Sequence, residues 1–239
     1  MERKINETGH SKNIANFNAV YQILEEMGTL YNPTNPKIQI SSLSPIRGSL
    51  QEISTELNTK QPVYKNAVAA RETAIKPLSK LITQTLNYAK SIDISLADKE
   101  NIAARAIKIR GNQKEKKTTS EVNPSQQIST SQMSYDNRIA NLDAFTNQLA
   151  SHPQYMPNEQ EIQIATLQVY HANLSMLSKN VNVAGNTLIT ARKNRDEILY
   201  RNEISVIRLI KDIKAYLKSL GEAGKPYYDA VIKLKFRAA

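Results

Sequence analysis

The chain has 239 residues, with 32 Lys and Arg against 22 Asp and Glu, a formal charge of +10. It holds 7 glycines, where average usage gives about 17, and it has no cysteine and no tryptophan. So few glycines argue against a β-sandwich, a barrel or a doubly wound sheet with Gly-rich turns. Without cysteine there is no disulfide framework, no thiolate nucleophile and no Cys-ligated zinc or iron–sulfur site.

In chain order, Met1–His10 contains no apolar core of a leader, so no signal peptide is expected. No run of about 18 apolar residues occurs either, and a soluble, cytoplasmic protein without a transmembrane segment is expected. Ile14, Phe17, Tyr21 and Leu24 recur every three or four residues, the stripe of a first helix. Tyr31-Asn-Pro-Thr-Asn-Pro36 breaks it, since its prolines and asparagines supply turn chemistry. A second helix is expected from near Ile38 to about Asn58. Pro62 suits the start of a third helix towards Lys90, with Pro77 a kink or a fresh start, and a fourth runs from Asp98 to about Ile109. Residues 112–134 are polar and aperiodic and read as a flexible linker. Beyond it the pattern returns over Asn137–Ala150, Asn158–Lys179, Val183–Leu220 and Pro226–Lys235. Val206, Ile210, Ile213, Leu217 and Leu220 alternate steps of four and three, the seam of a bundle.

The return is a repeat in sequence as well. Tyr31-x-Pro33-x4-Ile38-Gln39-Ile40-x2-Leu43 recurs as Tyr155-x-Pro157-x4-Ile162-Gln163-Ile164-x2-Leu167, 124 residues further on. Ile14-Ala15-Asn16 matches Ile139-Ala140-Asn141, and Arg71-Glu72 matches Arg195-Asp196. Both copies close on a similar segment, Ile107-Lys-Ile-Arg110 and Ile232-Lys-Leu-Lys235. Two units are too few for a solenoid. The expectation is therefore all-α: two tandem, internally duplicated up-and-down helical bundles of about four helices each, residues 1–111 and 135–239.

The Tyr-x-Pro start of the second helix, the run Ala191, Arg192, Arg195, Asp196, Glu197, and Lys214-Ala-Tyr216 resemble a family of tandem helical proteins of Bacteroidota. That resemblance implies the same helical architecture and carries no activity with it.

The scarce reactive residues give no constellation. His10, His152 and His171 form no His-x3-His pair. Glu7-x2-His10 precedes the first helix and has no counterpart in the second copy, unlike the paired motifs of di-iron bundles. His152-Pro153 reads as a helix terminator, and His171 as a mid-helix side chain. Gly221-x2-Gly224-Lys225 lacks the spacing and the Ser/Thr of a phosphate loop, so Gly221 reads as a helix C-cap and Pro226 as the next helix start. No catalytic, cofactor-binding or metal-ligating residue is assigned, and no cofactor is expected.

Two sets of charged residues remain. If the third helix of each copy is continuous, Arg195 faces inwards on the side of Ile213 and Leu217. Arg71 with Glu72, and Arg195 with Asp196, are thus expected as inter-helix ion pairs or anchors, which fix register when satisfied. The second set is basic. Residues 179–239 hold 13 basic and six acidic residues. Arg201, Arg208, Lys211, Lys214 and Lys218 form one helix face, and Arg105, Lys108, Arg110, Lys114, Lys116 and Lys117 a second cluster. Such rows are where a polyanion would dock. The functional expectation is a non-enzymatic helical binding or scaffold protein with an unidentified protein partner. The alternative is a non-specific nucleic-acid-associated protein using those basic faces.

Overall fold

A computed structural model describes residues 9–110 and 133–237, and every regular element among them is helical. These are α1 (His10–Glu26), α2 (Ile40–Ile75), α3 (Leu78–Ser91), α4 (Leu96–Arg110), α5 (Tyr135–Ala150), α6 (Ile164–Asp196), α7 (Val206–Ser219) and α8 (Lys225–Lys233). The all-α expectation holds for the described residues. None of their helices is long and apolar enough to cross a membrane. Most of the expected linker, with Lys114, Lys116 and Lys117, lies outside the described residues.

Local chemistry explains where the helices stop. Gly28 after α1 and Gly221 after α7 have φ of 55° and 61°, a left-handed conformation that glycine adopts without a Cβ clash. Gly221 is thus the C-cap glycine expected from the sequence, and Pro226 lies in the first turn of α8. The Tyr–Pro segments become short 3-10 turns, Pro36–Ile38 and Gln160–Ile162, leading into α2 and α6. Tyr31 OH donates to the Ile38 carbonyl at 2.6 Å, and Gln39 Nε2 to the Pro33 carbonyl at 3.2 Å. Tyr155 repeats the bond to Ile162 at 2.8 Å, and Gln163 the bond to Pro157 at 3.3 Å. Each phenol also meets another ring edge-on: Tyr31 with Tyr216 at 5.3 Å, Tyr155 with Tyr88 at 5.2 Å. Burial pushes both hydroxyls well above the usual tyrosine value, so they stay protonated donors.

Two helix boundaries differ from those expected. No break occurs at Asn58–Pro62: α2 runs through 36 residues with Pro45 and Pro62 inside it. Pro62 and Asn58 are exposed, so water can take the carbonyl bond that the proline nitrogen cannot supply. Pro77 is the fresh start, as the N-cap of α3. In the second half α6 continues through Lys179 to Asp196, and the break comes later, at a π turn over Glu197–Arg201. The expected helix Val183–Leu220 is therefore parts of two helices.

The compact units follow from these long helices. One unit comprises residues 9–63 with 185–237, and the other 64–110 with 133–184. The divisions fall inside α2, beside Pro62, and inside α6, at Gly185. They do not follow the boundaries 1–111 and 135–239 expected from the sequence. Leu50 of α2 packs in one core and Ile75 of the same helix in the other.

Each unit has its own core. In the first, Phe17, Val20, Leu24, Leu43 and Leu50 pack with Leu199, Val206, Ile213, Leu217 and Val231. In the second, Leu78, Ile82, Leu86, Ile102 and Ile109 pack with Ile139, Leu142, Phe145, Leu149 and Leu167. The seam Val206, Ile210, Ile213 and Leu217 is buried as its spacing predicts. In the first unit α7 packs on α8, and the approach is close: a Cβ on Gly224 would lie 2.5 Å from the Leu217 carbonyl oxygen.

Candidate functional site

The densest polar cluster of the first unit forms where α6 gives way to the π turn. Arg195 donates from Nε at 2.9 Å and from Nη2 at 2.8 Å to Asp196 Oδ1. The arginine side chain is 14% exposed and the aspartate 27%, so the pair is well sheltered. It joins sequence neighbours within one helix, not two helices. The expected inward direction of Arg195 assumed a continuous helix to Leu217. The π turn removes that continuity, and Leu199 is the residue it buries.

The same turn carries Tyr200 to the start of α1. Its hydroxyl lies 2.9 Å from His10 Nδ1 and accepts from Asn13 Nδ2 at 3.1 Å. Tyr200 OH thus joins the His10 ring and the Asn13 amide through one oxygen. Asp196 Oδ1 is 3.7 Å from the same nitrogen. Burial, and then the nearby Arg195, hold His10 below the usual histidine value, with Asp196 opposing. Asn13 also pairs with the Arg237 backbone: Nδ2 donates to its carbonyl at 2.9 Å, and its N–H donates to Oδ1 at 3.1 Å. Asn16 donates to the Lys235 carbonyl at 2.7 Å. His10, Asn13, Asn16 and Tyr200 thus act as a clasp that holds residues 235–237 against α1.

In the second unit the corresponding residues do something else. Arg71 of α2 lies over the ring of Tyr135 on α5, its Cζ 4.0 Å from the centroid. Its buried Nε has no hydrogen-bond partner among the described residues. Glu72 is exposed, so Arg71 anchors α2 to α5 through an aromatic face rather than a carboxylate. Arg138 of α5 donates from Nε to the Ile109 carbonyl at 2.9 Å and from Nη2 to Ser79 Oγ at 3.3 Å.

The basic residues divide. Arg208, Lys211 and Lys218 are exposed on α7, and Lys214 is half-buried, its Nζ 5.9 Å from the Phe236 ring. Burial, then Lys235, lowers the Lys214 pKa from its usual value. Among the described residues none of these four cations is in an ion pair. Arg201 is not on this face; it stands in the π turn, 4.0 Å from Glu197. On α4, Arg105 and Lys108 are exposed, while Arg110 is half-buried and donates to Thr83 Oγ1 at 2.9 Å.

A shallow groove of about 420 Å³ between α5 and α6 is lined by Asp136, Ile139, His171, Ser175, Ser178 and Lys179, among others. His171 Nε2 lies 3.3 Å from Ser175 Oγ, and Nδ1 lies 3.8 Å from Asp143 Oδ1. The order of groups is that of a serine-hydrolase relay, but such a serine needs donors aimed at the developing oxyanion. The backbone N–H groups here belong to the interior of α6 and are spent on its own carbonyls. Ser178 Oγ donates to Asp136 Oδ1 at 2.7 Å, a second tie between α5 and α6. His152 follows the end of α5, where its carbonyl accepts from the Tyr155 N–H at 2.9 Å.

From sequence His10 is weighed only as a metal ligand and Asn16 only as a repeat position, and nothing points to Asn13 or Tyr200. One signal marks the place. Arg71 stands seven residues before the start of α3, whereas Arg195 stands eleven before the start of α7. The four extra residues fall where the π turn and Tyr200 lie. Compared with protein-family models, curated proteins and solved structures, the chain matches none.

Proposed function

We propose that this is a non-enzymatic, cytoplasmic binding and scaffold protein built on an internal duplication. The duplication is supported by the Tyr31 and Tyr155 locks, which recur with the same acceptor seven residues on and the same glutamine-to-proline bond. The observation that carries the binding reading is the α7 row: Arg208, Lys211 and Lys218 are exposed and form no ion pair among the described residues, on a helix whose other side is buried. Cations left unpaired on a rigid helix are available to a partner with anionic groups. A charge-reversed variant, Lys211→Glu with Lys218→Glu, is expected to lose the partner that the wild-type chain captures in cross-linking. Equal capture by both chains would remove α7 from the binding surface.

The same row favours one specific alternative, attachment to nucleic acid through phosphates. Neutralising about four phosphates would make affinity fall on the order of 10²-fold between about 50 and about 200 mM salt. Fluorescence anisotropy with labelled single- and double-stranded DNA and RNA decides this. Binding that collapses with salt and with the charge-reversed variant supports the alternative; no binding at the lower salt rejects it and leaves a protein partner.

A further inference from the structure

Helix α6 is apolar on two opposite sides. Leu167 and Leu174 pack in the core of the second unit, and Val181, seven residues further on, is also buried. Two residues on from each, about 200° round the helix, stand Val169, Met176 and Val183, which are 70%, 54% and 55% exposed. Ala172 lies beside them and is also exposed. A surface helix normally turns polar residues away from its core. Here a line of apolar side chains at a spacing of seven takes their place, the pattern of a helix–helix seam rather than of scattered surface residues.

Two features identify what covers it. The line is symmetric about Met176: in an antiparallel pair, Val169 meets Val183 of the other helix and Met176 meets its own equivalent. Lys179 then meets Asn173, so no like charges are opposed. The second feature is charge. Between Glu161 and Lys179 there is no Asp, Glu, Lys or Arg, within a chain of net charge +10. Copies of such a chain repel one another nearly everywhere, and this neutral face is where they can approach. An anionic partner, by contrast, finds nothing on the stripe to pair with. The equivalent positions on α2 are Pro45, Glu52 and Thr59, all exposed, so α2 carries no second copy of the seam, and an isologous pair closes on itself.

We propose that Val169, Ala172, Met176 and Val183 form a homodimerisation seam, occupied by the same stripe of a second copy running antiparallel about a two-fold axis at Met176. One helix pair covers less than the roughly 1,200 Å² that standard stable interfaces begin with. The dimer is therefore weak and concentration-dependent. Because the net charge opposes it, salt tightens it, the reverse of binding to a polyanion.

Sedimentation velocity on the full chain, over rising concentration at about 50 and about 500 mM salt, tests this. The expected result is a monomer–dimer equilibrium that tightens with salt and weakens at least about tenfold in Met176→Glu. Since the chain has no cysteine, Met176→Cys supplies a unique thiol on the axis. Mild oxidation is expected to link that variant into dimers while Asn101→Cys, exposed on α4, stays monomeric. Circular dichroism confirms that the variants keep their helices. A chain monomeric at every concentration, a dimer indifferent to Met176→Glu, or equal linking at both thiols would overturn the proposal, the first by reserving the stripe for a different protein.

Discussion

The two units close their Tyr–Pro turns with the same bonds but secure the helix that begins each pair in opposite ways. In the first, α1 is held by hydrogen bonds: His10 and Asn13 to Tyr200, Asn13 and Asn16 to the chain end. In the second, α5 is held by cations: Arg71 over the Tyr135 ring and Arg138 on the Ile109 carbonyl. The shared bonds are buried, where an unmet carbonyl is costly, and they fix the fold. The fastenings sit nearer the surface, where several chemistries serve, and there four extra residues suffice to install a π turn and bring Tyr200 to the start of α1.

The largest effects should be equal between the units. Phe17 and Phe145 are both wholly buried, each at the centre of one core. Phe17→Ala and Phe145→Ala are each expected to cost about 3–5 kcal/mol in urea unfolding. A cost confined to one would mean that the other core contributes little. Gly224→Ala comes next and has no counterpart in the second unit. Its Cβ would meet the Leu217 carbonyl at 2.5 Å and Leu220 Cβ at 2.6 Å, and overpacking of that kind costs about 1–3 kcal/mol. Unchanged thermal stability would show that α8 can move off α7 freely.

Tyr31→Phe and Tyr155→Phe sharpen the shared part. Each leaves a buried isoleucine carbonyl unmet, and each is expected to cost about 1–1.5 kcal/mol; unequal losses would break the likeness of the two locks. The pH response should separate the units. His10 has a pKa below the usual 6.5 in the folded chain, so its contribution to stability is present above that value. It is lost as pH falls through the lowered pKa, because protonation is easier once the clasp opens. Amide signals of residues 235–237 should shift on mild acidification, and His10→Gln should remove that shift; the α5 end, with Tyr135 in place of histidine, should not respond. The smallest effect has the opposite sign. Ser205 Oγ is buried without a partner, so Ser205→Ala should raise stability by up to about 1 kcal/mol.

Helix type and the Tyr motif were legible because apolar spacing and turn residues encode them locally. Pro62 and Pro77 give similar local signals, yet only Pro77 starts a helix. The difference lies in packing on either side of Pro62, which no local pattern reports. Arg71 and Arg195 were found as a matched pair, with Asp196 named beside Arg195, but Tyr135 was not found as the partner of Arg71. A ring three helices further along the chain is not announced by spacing, and the direction of Arg195 depends on a π turn visible only as a change in repeat offset. The composition of the units was hidden for the same reason as Pro62: once α2 and α6 are continuous, each unit must draw on both halves of the chain.

Amide hydrogen exchange on Phe17→Ala tests that composition most directly. Phe17 shares a core with Leu199, Val206 and Leu217, so exchange should quicken across α7 while α3 keeps its protection. Faster exchange in α3 with α7 unchanged would contradict the interleaved units and return α1 to the helices that follow it in sequence.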